Sequence, residues 1–263
     1  MINTARIVGA GLIGTSIGLC LKSAGIKVEM IDLDSNSAQL AQDLVKSTPI
    51  SEPDLIVVAV PISANQKVVV EQLNANPNSI VCDLASVKSD LLVKVEELSD
   101  NAKNFISLHP MAGRELSGAQ SARADLFIGR AWVLITGSKS SEKAKLVADA
   151  FIKICGGSSY QMSSAEHDLT VAKLSHLPQI LSSSLAASLL EVSEDNLNIS
   201  VQGIRDLTRL ANSDSKLWSE ILLANQSSLT PSLEKLISHL QGLQKSLVSN
   251  KKEEIEDFLK KGR

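Results

Sequence analysis

His109 opens a short polar block, His109-Pro110-Met111-Ala112-Gly113-Arg114-Glu115, directly after the apolar run Phe105–Leu108. A neutral imidazole takes up a proton near pH 7, so a histidine at a strand end suits general-base work. A lone histidine is more often structural; a place beside a glycine-bearing loop favours the catalytic reading. Glu115 is a loop acid, or a partner that orients His109 or a substrate. A second polar block, Asp83 to Lys88, follows Ile80–Cys82. Within it, Ser86 either hydrogen-bonds a substrate hydroxyl or caps the helix entered at Lys88. Lys88 is either solvated or a carboxylate partner. Further on, Ser175-His176-Leu177-Pro178-Gln179 places polar groups in an apolar helical stretch, with His176 and Gln179 as candidate substrate contacts. Arg205 and Arg209 are four apart, hence on one helix face. A guanidinium pairs bidentately with a carboxylate. Taken alone, an exposed pair bridged to Asp206 or Asp214 is the plainer reading of those arginines.

The first thirty or so residues carry a different chemistry. Arg6-Ile7-Val8 is a short strand run, Gly9-Ala10-Gly11-Leu12-Ile13-Gly14 follows, and a helical pattern runs to Ser23. A second apolar run, Val28–Ile31, ends at Asp32. A glycine triplet alone is a weak signal, but here it has strand, helix and acid in register. Gly9 permits the tight turn, Gly11 leaves room for a pyrophosphate, and Gly14 lets helix and strand approach. The helix N-terminus offers N–H groups and a positive dipole end to phosphates. Asp32 accepts from the ribose hydroxyls; it opposes a 2′-phosphate, as does Asp34, so NAD is expected over NADP. Leu12, Ile13, Val60 and Pro61 complete the expected cofactor contacts. The competing reading is a plain strand–helix–strand unit with glycines for packing.

These groups need a scaffold that brings strand ends together. Apolar runs at Leu55–Val60, Ile80–Asp83, Phe105–Leu108, Ala131–Thr136 and Ser159–Met162 alternate with helical patterns up to about residue 163. That alternation predicts an α/β Rossmann-type doubly wound sheet, whose ligands sit beyond the strands' carboxyl ends. From Ala165 no convincing strand is found. Ala165–Val192 reads as one long helix kinked at Pro178, with Leu169, Ala172, Leu177, Ile180, Leu181 and Leu185 on a broad apolar face. Asn196–Asn212, Lys216–Asn225, Pro231–Ser249 and 251–260 read as further helices. The expected division is an NAD-binding domain over 1–163 and an all-α helical dimerisation and substrate domain over 164–263.

The bulk properties are those of an ordinary globular protein: 263 residues, 44% hydrophobic and 21% charged. A net charge of −3 argues against nucleic acid or a membrane surface as partner. No apolar run reaches membrane-spanning length, and the N-terminus enters a strand without a signal-peptide pattern. The three cysteines are dispersed in apolar segments, with neither metal spacing nor a disulfide framework. A reducing, cytoplasmic setting is expected.

In combination, Gly11-Leu-Ile-Gly14, Asp83…Ser86-Val-Lys88, His109-Pro-Met-Ala-Gly113 with Glu115, Asp125-Leu-Phe127…Trp132-Val-Leu134, His167-Asp168, Ser175-His-Leu-Pro178 and Asp206-Leu-Thr-Arg209 resemble the prephenate dehydrogenase family and its arogenate-using relatives. The resemblance runs in order from about residue 5 to 245. It implies a two-domain homodimer that binds NAD and carries out an oxidative decarboxylation in tyrosine biosynthesis. Hydride leaves C4 of a cyclohexadienol ring for the nicotinamide, the C4 hydroxyl loses its proton, and the ring carboxylate leaves as CO₂. By resemblance, His109 is the base on that hydroxyl and Ser86 touches the same hydroxyl or the nicotinamide side. Arg209 binds a substrate carboxylate, and Glu115 gates or polarises the site. In many prephenate users a second histidine follows the Leu-Pro pair; here Gln179 stands there, which leaves prephenate, arogenate and dual (cyclohexadienyl) specificity open. No regulatory or mutase domain is expected within these residues. A β-hydroxyacid-type dehydrogenase is a competing enzyme reading, though the glycine-rich motif with its catalytic lysine is not found. A non-catalytic NAD-sensing dimer is a third.

Overall fold

The structure, a computed structural model, describes residues 1–113, 116, 118–197 and 202–262. Its strands are β1 Thr4–Val8, β2 Lys27–Ile31, β3 Leu55–Val58, β4 Ile80–Asp83, β5 Phe105–Pro110, β6 Ala131–Ile135 and β7 Ser158–Gln161. Among them run α1 Leu12–Ser23, α2 Ser35–Val45, α3 Ile62–Ala75, α4 Ser89–Leu98 and α5 Glu142–Ile154. The strands form one sheet in the order β2-β1-β3-β4-β5-β6-β7. All neighbours are parallel except β6, which runs antiparallel to β5.

The apolar runs explain this layering. β3 is buried along its whole length, as a strand covered on both faces must be. Leu55 and Val57 join α1, α2 and α5 through Ile17, Leu21, Val45, Ala148 and Phe151. Ile56 and Val58 point the other way and meet α3 and α4 through Val69, Leu73, Leu91 and Val95. Each of the Val, Leu, Ile and Phe side chains among them contributes about 1.5–3 kcal/mol by leaving water. The strand order reverses between β1 and β3, so their carboxyl ends open the crevice where a doubly wound sheet takes its ligand.

Two boundaries differ from the sequence reading in ways that matter. β5 extends through His109 and Pro110, which pair with Val133 and Trp132 of β6. His109 therefore stands on a fixed ladder rather than in a loop. β3 stops at Val58, and Ala59 turns off while its N–H still donates to Val8 O at 2.7 Å.

The helical half contains α6 Ser164–Val171, α7 Leu177–Ser188, α8 Glu194–Leu197, α9 Gln202–Thr208, α10 Ser215–Ala224, α11 Gln226–Val248 and α12 Lys252–Lys261. The expected kink at Pro178 takes a definite form: a π turn over Ala172–His176, in which Leu177 N donates to Ala172 O. Proline lacks an N–H and its ring crowds the carbonyl four residues back; widening the turn relieves both. The helix expected to begin at Pro231 begins at Gln226 instead. Buried Leu229, whose N–H donates to Asn225 O at 2.9 Å, anchors the turn that precedes the proline. The chain divides into two compact units, Met1–Asp168 with Asn212–Ala224, and Leu169–Ala211 with Asn225–Arg263. The contact boundary thus falls five residues past 163 and returns α10 to the sheet-bearing unit. Among the described residues no helix is long and apolar enough to cross a membrane.

Candidate active site

The glycine turn lies at the strand-order reversal. Gly9 has φ +110°, and a Cβ there would strike the carbonyl oxygen of Ala59. A Cβ on Gly14 would strike the carbonyl oxygen of Gly9. Packing within the chain therefore demands both glycines. Gly11 differs: it is exposed, and nothing lies within 4 Å of where its Cβ would stand. The protein's own packing does not require a glycine there, whereas a pyrophosphate brought close to the backbone does. α1 starts directly after it, with buried Leu12 and half-buried Ile13 in its first turn and no acidic side chain there to compete for an anion.

Asp32 follows β2 and folds back over this turn. Its Oδ2 accepts from Ala10 N at 2.6 Å and its Oδ1 from Asp34 N at 2.9 Å. Each carboxylate oxygen has a further lone pair, enough to take the two hydroxyls of a ribose. Asp34 caps α2, accepting from Ser37 N at 2.7 Å. Half-buried Val60 and exposed Pro61 flank the crevice after β3, with Pro61 at the N-cap of α3. The open space at Gly11, the helix start and the anchored carboxylate together fit a dinucleotide with an unsubstituted ribose.

The carboxyl ends of β4 and β5 carry a second assembly. Lys88 and Asp83 are both fully buried and paired, Nζ to Oδ2, at 2.8 Å. Burial pulls the Lys88 ammonium down from its ordinary range, with the Asp83 carboxylate opposing that shift. The same ammonium donates to Leu108 O at 2.6 Å, one residue before His109. Asp83 also accepts from Asn65 Nδ2, Ala85 N and Ser107 Oγ. Lys88 is thus a carboxylate partner that ties the end of β4 to the end of β5.

His109 is half-buried, and its Nδ1 lies 2.8 Å from His167 Nε2. The rings meet edge-on, at 70° with centroids 5.1 Å apart. His167, fully buried on α6, places its Nδ1 2.8 Å from Asp168 Oδ1. Asp168 in turn accepts from Lys88 N at 3.0 Å, Ser89 N at 2.9 Å and Ser89 Oγ at 2.6 Å. Burial opposes its ionisation, but the hydrogen bonds from His167 and Ser89 outweigh that and hold its carboxyl below the usual range. Asp168, not Ser86, therefore caps α4. Ser86 is half-buried in the segment between β4 and α4. The sequence reading gave no role to His167 or Asp168, and the adjacent His-Asp pair was the signal available. Glu115, expected as a loop acid or as a partner that orients His109 or a substrate, lies outside the described residues.

The second unit carries the remaining candidates. α9 ends at Thr208, and a tighter 3₁₀ turn, Arg209–Asn212, begins at exposed Arg209. Arg205 and Arg209 thus do not share one continuous α-helical face. α7 holds that turn: Gln179 Nε2 donates to Leu210 O at 2.9 Å, and Ala211 N donates to Ser182 Oγ at 3.1 Å. Gln179 is buried, and its Oε1 has no hydrogen-bond partner among the described residues. His176 is buried as well, its Nδ1 3.2 Å from Asn225 Nδ2.

A glycine turn at the switch point of a doubly wound sheet, closed by an acid after β2, defines a dinucleotide-binding enzyme of the dehydrogenase class. Comparison with known proteins narrows the class. A family model described as prephenate dehydrogenase, nucleotide-binding domain, matches residues 17–161, and one described as prephenate dehydrogenase, dimerization domain, matches 163–261. The chain belongs to the prephenate dehydrogenase family. It is 29% identical over 273 residues to prephenate dehydrogenase of Lactococcus lactis subsp. cremoris, covering 98% of this chain and 75% of that one. It is 30% identical over 266 residues to cyclohexadienyl dehydrogenase of Zymomonas mobilis, covering 92% of this chain and 88% of that one. Its structure resembles prephenate dehydrogenase from A. aeolicus in complex with hydroxyphenyl propionate and NAD+, with a TM-score of 0.88 at 25% identity over 99% and 96% of the two chains. Synechocystis arogenate dehydrogenase follows at 0.80 and 25% identity, over 98% and 96%.

Proposed function

We propose that this chain is an NAD-dependent dehydrogenase that converts prephenate to 4-hydroxyphenylpyruvate with loss of CO₂, a step of tyrosine biosynthesis. The observation that carries the reading is His109, fixed on β5 at the carboxyl edge of the sheet that bears the glycine turn and Asp32. NAD supplies the acceptor for the hydride lost from C4 of the ring. Gly11 and the start of α1 seat its pyrophosphate, Leu12 and Ile13 line that turn, and Asp32 binds its ribose. Val60 and Pro61 border the same crevice. His109 takes the proton of the C4 hydroxyl, Ser86 hydrogen-bonds that hydroxyl, and Glu115 polarises the site. As the C4 carbon–hydrogen electrons depart, the bond to the ring carboxylate breaks, its electrons complete the aromatic ring, and His109 returns the proton to the C4 oxygen to leave the phenol of the product.

Arg209 pairs with a substrate carboxylate, and His176 and Gln179 contribute to substrate binding. Residues 1–163 form the NAD-binding domain and 164–263 the helical substrate and dimerisation domain. Leu174, Leu190 and Leu207 stand 73%, 85% and 63% exposed in the single chain, which suits a homodimer built through that domain. Buried, unbridged Cys20, Cys82 and Cys155 fit a reducing cytoplasm.

A second reading, arogenate as substrate, draws on Gln179: an amide replaces an ionisable ring where the side chain of the substrate is distinguished. The test is NADH formation by the purified protein with prephenate, with arogenate, and with NADP in place of NAD. NADH from prephenate supports the first reading and NADH from arogenate alone supports the second. No NADH from either overturns both.

A further inference from the structure

The hydrogen-bond chain behind His109 fixes where its proton must sit. An ionised carboxylate accepts hydrogen bonds and donates none. Asp168 is such an acceptor, held ionised by the donors around it. His167 Nδ1, 2.8 Å from Asp168 Oδ1, must therefore carry a hydrogen. In a neutral ring the other nitrogen, Nε2, is then an acceptor. That nitrogen lies 2.8 Å from His109 Nδ1, so the hydrogen between the two rings belongs to His109. One neutral tautomer of His109 satisfies the whole chain: Nδ1 protonated, Nε2 with its lone pair.

We propose that His167, oriented by Asp168, is a positioning residue that holds His109 in the tautomer whose Nε2 receives the substrate proton. The inference rests on the reading of His109 as the base. It gives a purpose to two buried polar side chains that substrate and cofactor binding leave unexplained. His167 is fully buried and is held at both ring nitrogens, Nδ1 by Asp168 and Nε2 by His109, so the packed surroundings and these two bonds fix its orientation. Asp168 is fixed in turn by the first N–H groups of α4. When His109 becomes an imidazolium, its Nδ1–H still points at His167, and the Asp168 charge lies one ring further on. The logic is that of a carboxylate that selects the tautomer of a catalytic histidine and then stabilises its charged form; here a second imidazole stands between them.

The test reads the tautomer directly. Protein labelled with ¹⁵N-histidine has four histidines to assign, by comparing spectra of single substitutions. In the neutral wild-type protein, long-range ¹H–¹⁵N correlations should show His109 protonated at Nδ1 and unprotonated at Nε2. A wild-type His109 protonated at Nε2 overturns the proposal. In His167→Ala the His109 signal should move toward the Nε2-protonated form, and kcat should fall about tenfold or more with the KM for NAD unchanged. The fall should stay below that of His109→Ala, which forfeits a full general-base contribution of about 10²–10⁴. His167→Gln places an amide oxygen near the lost Nε2 and should restore most of the turnover. Equal kcat in the Ala and Gln variants overturns the proposal, as does wild-type kcat in both. If His167→Ala does not fold, the wild-type spectrum decides. The spectrum needs no turnover, so absent dehydrogenase activity defeats the functional reading alone. The wrong tautomer in an active enzyme defeats the positioning role alone.

Discussion

Replacing Lys88 with methionine tests how the base-bearing edge of the sheet is held. Methionine keeps the length and apolar stem of the side chain but removes the ammonium from a site with no exposure. Asp83 is then a buried carboxylate without its counter-charge. Breaking a buried pair by removing one partner costs about 3–5 kcal/mol. Asp83 keeps donors in Asn65, Ala85 N and Ser107, which places the loss at the lower end, about 3 kcal/mol. Leu108 O loses the same ammonium, adding up to about 1 kcal/mol. At about 2–4 °C per kcal/mol for a unit of this size, the melting temperature should drop by about 6–16 °C, read by circular dichroism or calorimetry. Lys88→Met combined with Asp83→Leu removes both charges and should be less damaging than Lys88→Met alone. A drop under about 2 °C for Lys88→Met, or a double variant no better than the single one, would refute the buried-pair account.

Three further outcomes are expected. Asp32→Ser removes the carboxylate that opposes a 2′-phosphate, so the preference for NAD over NADP should narrow; an unaltered ratio of kcat/KM values counts against the ribose contact. Arg209→Ala should chiefly raise the substrate KM through loss of a charge-assisted pair, and a fall in kcat alone would reassign the arginine. The folded-state carboxyl of Asp168 lies below its ordinary value, so the stability it contributes is present above the unfolded value near pH 4 and is lost as pH falls through the folded one. The gap in urea midpoint between wild type and Asp168→Asn should therefore be full at neutral pH and close on acidification below about pH 4; a gap that widens in acid contradicts the sign.

Much of this was legible because the signals are local. Apolar runs mark strands wherever a strand is buried on both faces, and the glycine turn is readable from its spacing between a strand and a helix, with Gly9 and Gly14 demanded by packing and Gly11 left open. His109 is readable because a polar block after an apolar run marks a strand end. What escaped is long-range. His167 lies 58 residues from His109, and Asp168 caps a helix about 80 residues upstream. The adjacent His-Asp pair marks a place where chemistry is possible, but neither its place in a helical pattern nor its spacing names the distant partners. The antiparallel direction of β6 is equally silent, since Ala131–Ile135 reads the same both ways. The Arg205–Arg209 spacing misled because helical periodicity holds only while the α-helix lasts, and it passes into a 3₁₀ turn at Arg209. Pro231 misled because proline favours a helix start, whereas buried Leu229 secured an earlier one.

The most direct measurement is the turnover of His109→Ala beside its affinity for NAD, in protein saturated with whichever ring acid yields NADH. Loss of the proton acceptor should lower kcat by about 10²–10⁴, with the dissociation constant for NAD unchanged. Turnover equal to wild type, or a loss of NAD affinity that matches the loss of rate, would contradict the assignment of the imidazole on β5 as the base.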